Sequence, residues 1–183
     1  MVVILAGLPG TGKSTVARAL AQRLPGIVLD KDMIRAALFT PAHVEYSRVQ
    51  DDFCQEIMLQ TAAYLLERNS SAYVLLDGRT FSRRYQREQV FQFCAQLATG
   101  WAILECVCSE QTALARLEKA AADRTHPATN RTPELYHQIR KAWEPIADPK
   151  LVIDTDASLD ACAEQAAQYL AKRKEEQRVF GDK

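Results

Sequence analysis

A chain of 183 residues with 48% apolar side chains can bury one core of ordinary domain size, which excludes a second full domain. Its 23 basic and 23 acidic residues cancel, so no global field marks a nucleic-acid or anionic-membrane binder, and any anion site has to be local. Five cysteines, an odd number without a C-x-x-C pair, read as reduced, mostly buried thiols, and the three histidines have no metal-like spacing.

In chain order, Val2 to Ala6 is a continuous apolar, β-branched-rich run, the pattern of a central parallel strand covered on both faces. It lacks a preceding basic region and meets a Gly-rich turn at once, which is wrong for a signal peptide, and nothing reaches the roughly 18 apolar residues of a membrane span; the expected location is the cytoplasm. Lys13 to Leu24 carries Val16, Leu20 and Leu24 at helical spacing and stops at Pro25-Gly26. A strand at Ile27 to Leu29, a helix near Met33 to Leu38 and a break at Thr40-Pro41 follow. A long helix over Ser47 to Glu67 places Val49, Phe53, Ile57 and Tyr64 on or near one face. "AYVLLDG" (72–78) and "WAILECVC" (101–108) read as buried strands around a helix from about Arg83 to Leu97; Cys106 and Cys108 would face one side of the sheet as core. Helices over Glu110 to about Ala121 and Pro133 to Trp143 flank a polar segment. "KLVIDT" (150–155) is the last strand, and Leu159 to Leu170 stripes a closing helix. The charged tail "KRKEEQRVFGDK" is expected to fray. Five short apolar runs interleaved with helices predict an α/β fold of three layers, α/β/α, around a five-stranded parallel sheet.

The turn between the first strand and first helix, Gly7-Leu8-Pro9-Gly10-Thr11-Gly12-Lys13-Ser14, followed by Thr15, fits G-x-x-x-x-G-K-[ST] in its required context. Glycines let successive backbone N–H groups point at phosphate oxygens, and the helix N-terminus adds its positive end. Lys13 would reach the β- and γ-phosphates, and the Ser14 hydroxyl would bind Mg2+. Asp77, at the end of "YVLLD", is placed to hold Mg2+ or its water, although Asp77-Gly78 also suits a plain turn. In "LDKDMIR", Asp32 and Arg35 share one face of a helical turn. Asp32 could accept the proton of a hydroxyl while Arg35 binds an anionic group or orients it; alternatively Asp30 or Asp32 simply caps the helix. Arg79, Arg83, Arg84 and Arg87 follow the third strand and could hold an anionic acceptor, or form ordinary surface pairs such as Arg84 with Glu88.

These motifs in this order resemble the P-loop kinases of the nucleoside-monophosphate-kinase type, in the AAA-type predicted-kinase branch with polynucleotide 5′-hydroxyl kinase domains and zeta-toxin-like, gluconate and antibiotic kinases. The similarity spans nearly the whole chain. It implies one kinase domain over residues 1–183 with a lid inserted at about 116–141, whose arginines reach the transferring phosphoryl group. Arg116 matches the position leading into such a lid, and Arg124 or Arg131 would close over the phosphates. Without a C-x-x-C, this lid is not of the zinc-bearing kind.

The resulting expectation is transfer of the ATP γ-phosphate to a hydroxyl, with Mg2+ bound, Asp32 as base, Lys13, Arg116 and Arg124 aiding transfer, and Arg35, Arg79, Arg83, Arg87 and Arg131 on the acceptor side. A small-molecule acceptor is favoured over a polynucleotide 5′-hydroxyl, because the charge is balanced and few aromatics are available for base stacking. An ATPase or a nucleotide-gated binding module is the remaining alternative. No membrane partner is expected, and the chain is expected to be a monomer or homodimer.

Overall fold

The computed structural model of the chain describes residues 1–123, 128 and 130–181. They form five parallel strands, β1 (Val2–Ala6), β2 (Gly26–Asp30), β3 (Tyr73–Asp77), β4 (Trp101–Val107) and β5 (Leu151–Asp154), in the spatial order β2-β3-β1-β4-β5. The helices are α1 (Lys13–Arg23), α2 (Lys31–Leu38), α3 (Arg48–Arg68), α4 (Arg84–Gln96), α5 (Glu110–Ala122), α6 (Pro133–Lys141) and α7 (Leu159–Gly181). No helix among the described residues is long and apolar enough to cross a membrane.

Strand β1 is apolar without interruption because both of its faces are covered. Val3 and Leu5 point into one core with Val16 and Leu20 of α1 and Ala166 and Leu170 of α7. Val2 and Ile4 point into the other, with Met58 and Ala62 of α3 and Val90 of α4. Each such fully buried aliphatic side chain contributes about 1.5–3 kcal/mol relative to exposure. A smaller cluster, Ala113 and Leu117 of α5 with Tyr136 of α6, joins the two helices that bracket the polar segment. All five cysteines are free thiols, and burial pushes Cys94 and Cys106 up to about 12.

Two expectations are corrected. On α3 the apolar positions Val49, Phe53 and Tyr64 lie at the surface, and the helix buries Gln50, Cys54, Met58, Ala62 and Leu66 instead. Apolar residues occupy more than one side of this helix, and the side carrying Asp51, Asp52 and Gln55 is drawn inward by cationic partners described below. The tail remains helical to Gly181. Lys174 donates to the Ser71 carbonyl, Gln177 Nε2 donates to the Trp101 carbonyl at 2.9 Å, and the Arg173 guanidinium lies 5.5 Å over the Trp101 ring. Long charged side chains here lay their stems on the sheet while their heads find carbonyls, so a polar composition does not mean a free end.

The β2–β3 register sets Asp30 beside Asp77 at the carboxyl ends of the strands, where ligands of parallel α/β sheets bind. Gly78 continues from there with a φ of +79°, and a Cβ at this residue would stand 2.7 Å from the Lys31 backbone nitrogen. Only glycine lets the end of β3 approach the start of α2 this closely. Gly78→Ala is therefore expected to destabilise the fold by about 1–3 kcal/mol, visible as a lower denaturant midpoint at unchanged slope. An unshifted midpoint would show that the two ends are not pressed together.

Candidate functional site

The loop between β1 and α1 has the form of an anion cradle. Helix α1 opens on Gly12 in the left-handed conformation, without a side-chain cap and without an acidic residue in its first turn, so its N-terminal end is left for a ligand. At Gly10, φ +81°, a Cβ would collide with the Ala113 carbonyl of α5, so this glycine also lets α5 close against the loop. The Lys13 ammonium donates to the carbonyls of Gly7 (2.8 Å) and Leu8 (2.7 Å), which uses two of its three protons and bends it over the loop. Burial, and next the positive charge of Arg131, lowers the Lys13 pKa to about 8. A bound anion would oppose both effects.

Two clefts meet at this loop. On one side, Gly12, Ser14, Thr15 and Arg18 face Arg116 of α5 and Arg131. On the other, Lys13 and Ser14 face Asp32 and Arg35 of α2, Asp77 of β3 and again Arg131. Pro9 and Arg79 also line this second cleft. Arg131 thus stands where the two meet. Arg124 lies outside the described residues.

Which aspartate caps α2 is settled by the register. Asp30, fixed at the end of β2, accepts the Asp32 backbone N–H at 2.8 Å. Burial and then the Asp77 charge raise the Asp30 pKa. Relieved of capping, the Asp32 carboxylate turns to the cleft, where it accepts from Arg35 Nη1 at 2.9 Å and lies 3.5 Å from Lys31 Nζ. The Asp77 side chain is 1% exposed, and its Oδ1 has no hydrogen-bond partner among the described residues. A buried carboxylate oxygen without a donor, in a cleft shared with the Ser14 hydroxyl, fits a hard divalent cation such as Mg2+.

The arginines after β3 diverge. Arg79 enters the cleft, 3% exposed, held by Asp52 and by Gln55 Oε1 at 2.7 Å, with Tyr85 beside it. Arg83 stands at the N-terminus of α4, half-exposed and paired with Glu144, and Arg84 pairs with Glu88. Arg87 is buried, with Nη1 donating to the Phe81 carbonyl at 2.9 Å and Nε 3.4 Å from Asp148. Phe81 adopts a positive φ of 50°, so Arg87 braces a strained turn behind the cleft and, like Arg83, is not among the groups that line it.

Several site residues carry no sequence motif. Asp51, in the first turn of α3, bridges Lys31 (2.8 Å) and Arg35, and Tyr46 lies under the Arg35 guanidinium. Thr155, just past β5, is a clamp. Its hydroxyl accepts from Arg116 Nη1 (2.9 Å) and shares its proton between the Thr11 and Val107 carbonyls, while its carbonyl accepts from Arg116 Nη2 (2.8 Å). Its one legible signal is its place at the carboxyl end of a predicted strand.

Fold and loop together define an α/β P-loop protein. The chain belongs to the AAA domain family AAA_33, whose model matches residues 2–128. Solved structures share the fold. The Mycobacterium tuberculosis APS kinase CysC, in complex with AMPPNP and APS, is 21% identical with a TM-score of 0.68, covering 93% of this chain and 96% of that one. Chaetomium thermophilum Kti12, in complex with ADP-AlF3, is 15% identical with a TM-score of 0.69, covering 95% and 99%. A gluconokinase from Sinorhizobium meliloti 1021 is 16% identical with a TM-score of 0.70, covering 97% and 95%. No curated protein matches the chain.

Thr155→Val removes the hydroxyl that ties Arg116 to the loop. Affinity for an ATP analogue, measured by calorimetry, is expected to fall about tenfold, the effect of one lost hydrogen bond to a charged group, with the fold retained. Unchanged affinity would separate the clamp from the cradle.

Proposed function

We propose that the protein is a kinase that transfers the γ-phosphoryl group of ATP to a hydroxyl of a small-molecule acceptor. The observation that carries this reading is the position of Asp32: freed from capping by Asp30, it lines the same cleft as Lys13, Ser14 and Asp77. A protein that only sensed nucleotide would have no use for a carboxylate oriented there. The kinases among the fold neighbours support the same reading.

In this account Gly7 to Gly12, with the backbone N–H groups opening α1, hold the phosphate chain, and the remaining proton of Lys13 meets its terminal phosphates. Mg2+, held by the Ser14 hydroxyl and by Asp77, would neutralise charge on the phosphoryl oxygens. Asp32 takes the proton of the acceptor hydroxyl as its oxygen bonds to the γ-phosphorus. The bond from that phosphorus to the bridging oxygen breaks, and ADP leaves with the electron pair. Arg35 and Lys31 hold the Asp32 carboxylate in place and aim it. Arg131, between the clefts, steadies the transferring group, and Arg116 serves the donor side.

Asp32→Asn keeps size and shape but cannot accept the proton. Binding of ATP is expected to stay within about twofold, whereas acceptor phosphorylation falls about 10²–10⁴-fold. If ATP is hydrolysed as fast as before and no acceptor is needed, the protein is an ATPase and the proposed base has no role.

A further inference from the structure

A carboxylate that is to take a proton from a hydroxyl needs its charge balanced and an oxygen left over for that proton. Asp32 is buried between two buried cations, Lys31 and Arg35. Nothing in α2 itself keeps either of them off its oxygens, since Lys31 is the adjacent residue and Arg35 stands one turn on. The contacts are nevertheless divided. Lys31 Nζ lies 2.8 Å from Asp51 and 3.5 Å from Asp32, so its hydrogen bond goes to Asp51 and only its charge reaches Asp32. Arg35 is split in the same way, with Nη1 donating to Asp32 at 2.9 Å and Nη2 donating to Asp51. Two cations and two carboxylates thus close a ring. Both contacts to Asp32 fall on one oxygen, Oδ1, so Oδ2 is the oxygen left for an acceptor proton.

Asp51 can divide the cations because it comes from a different element. It lies in the first turn of α3, which Ser47 caps by accepting the Gln50 N–H at 3.1 Å. Just before that cap, the Tyr46 ring lies 5.2 Å from the Arg35 guanidinium and covers one of its faces.

We infer that Asp51 is a positioning residue for the proposed base: by drawing Lys31 and one arm of Arg35 to itself, it leaves Asp32 balanced in charge and with an oxygen for the acceptor hydroxyl. The inference rests on the kinase reading. Without the Asp51 charge two buried cations would share one carboxylate, and Lys31 would close on Asp32 and occupy the oxygen meant for the proton.

The test has two arms, both on the full chain. The first needs no acceptor: in a crystal structure of Asp51→Asn with ADP and Mg2+, Lys31 Nζ is expected to move from 3.5 Å to within hydrogen-bond distance of Asp32. An unchanged spacing overturns the inference. The second arm follows labelled phosphate from ATP into a mixture of hydroxyl compounds. Asp51→Asn is expected to slow transfer about tenfold or more, a part of the roughly 10²–10⁴-fold that a positioned base supplies, while ATP binding stays within about twofold. On a Lys31→Met background, where no ammonium is left to divert, the same substitution is expected to cost less than about threefold. Equal losses on both backgrounds, the mark of a merely structural role, overturn the inference. Asp51→Glu keeps the charge and is expected to keep most of the transfer rate, and it serves as the deciding variant if Asp51→Asn does not fold: a loss as large as that expected for Asp51→Asn overturns the inference. If the native chain itself forms no labelled ester, it is the kinase reading that fails, and the Lys31 spacing still decides whether Asp51 holds that cation off Asp32.

Discussion

The site depends on one register. Pairing β2 with β3 so that Asp30 stands beside Asp77 brings two carboxylates together at the edge of a buried sheet, an arrangement that costs free energy unless the two are used differently. Asp30 spends its oxygen on the Asp32 N–H in the first turn of α2, and its raised pKa reflects both its burial and its neighbour. Asp77 keeps a buried oxygen without a donor. Because Asp30 caps the helix, Asp32 does not, and the next turn of α2 carries Asp32 and Arg35 into the cleft as a pair. A one-residue slip would reverse every side chain of β2 and dismantle this arrangement.

In the proposed reading, the two clefts around that register divide the work. The donor side is built mainly from backbone, with glycines and the uncapped start of α1, and it is tied down by Thr155, whose hydroxyl and carbonyl fix Arg116 while the same hydroxyl reaches the loop at Thr11. The acceptor side is built from side chains, and its charges are interlocked: Asp51 joins Lys31 to Arg35, and Asp52 joins Arg79 to α3. A backbone cradle suits a ligand common to many enzymes, whereas an interlocked side-chain wall suits one that differs from protein to protein.

How much of this the sequence discloses follows from where the determining contacts lie. The phosphate loop is legible because its chemistry is local, with each glycine and Lys13 within one turn of chain. The strands are legible because doubly covered strands are continuously apolar, and helix ends emerge within a few residues. The choice between Asp30 and Asp32 as cap is not legible, since both stand near the start of the helix and the deciding contact is a strand 47 residues away at Asp77. Arg83 and Arg87 look like site residues because they follow Asp77 closely, yet Glu144 and Asp148, from the segment beyond α6, claim them. Asp51 reads in sequence as an ordinary acidic residue in a first helical turn. Its role exists only because α3 crosses α2 beside Arg35.

The central claim is that one cleft brings a phosphate donor and a hydroxyl acceptor together. Following the γ-phosphoryl group by phosphorus NMR, with γ-oxygen-labelled ATP, Mg2+ and a mixture of hydroxyl compounds, tests it most directly. The account predicts that the labelled group appears as an acid-stable phosphate ester of a member of the mixture. A labelled group recovered only as inorganic phosphate, at the same rate with and without the mixture, would contradict it.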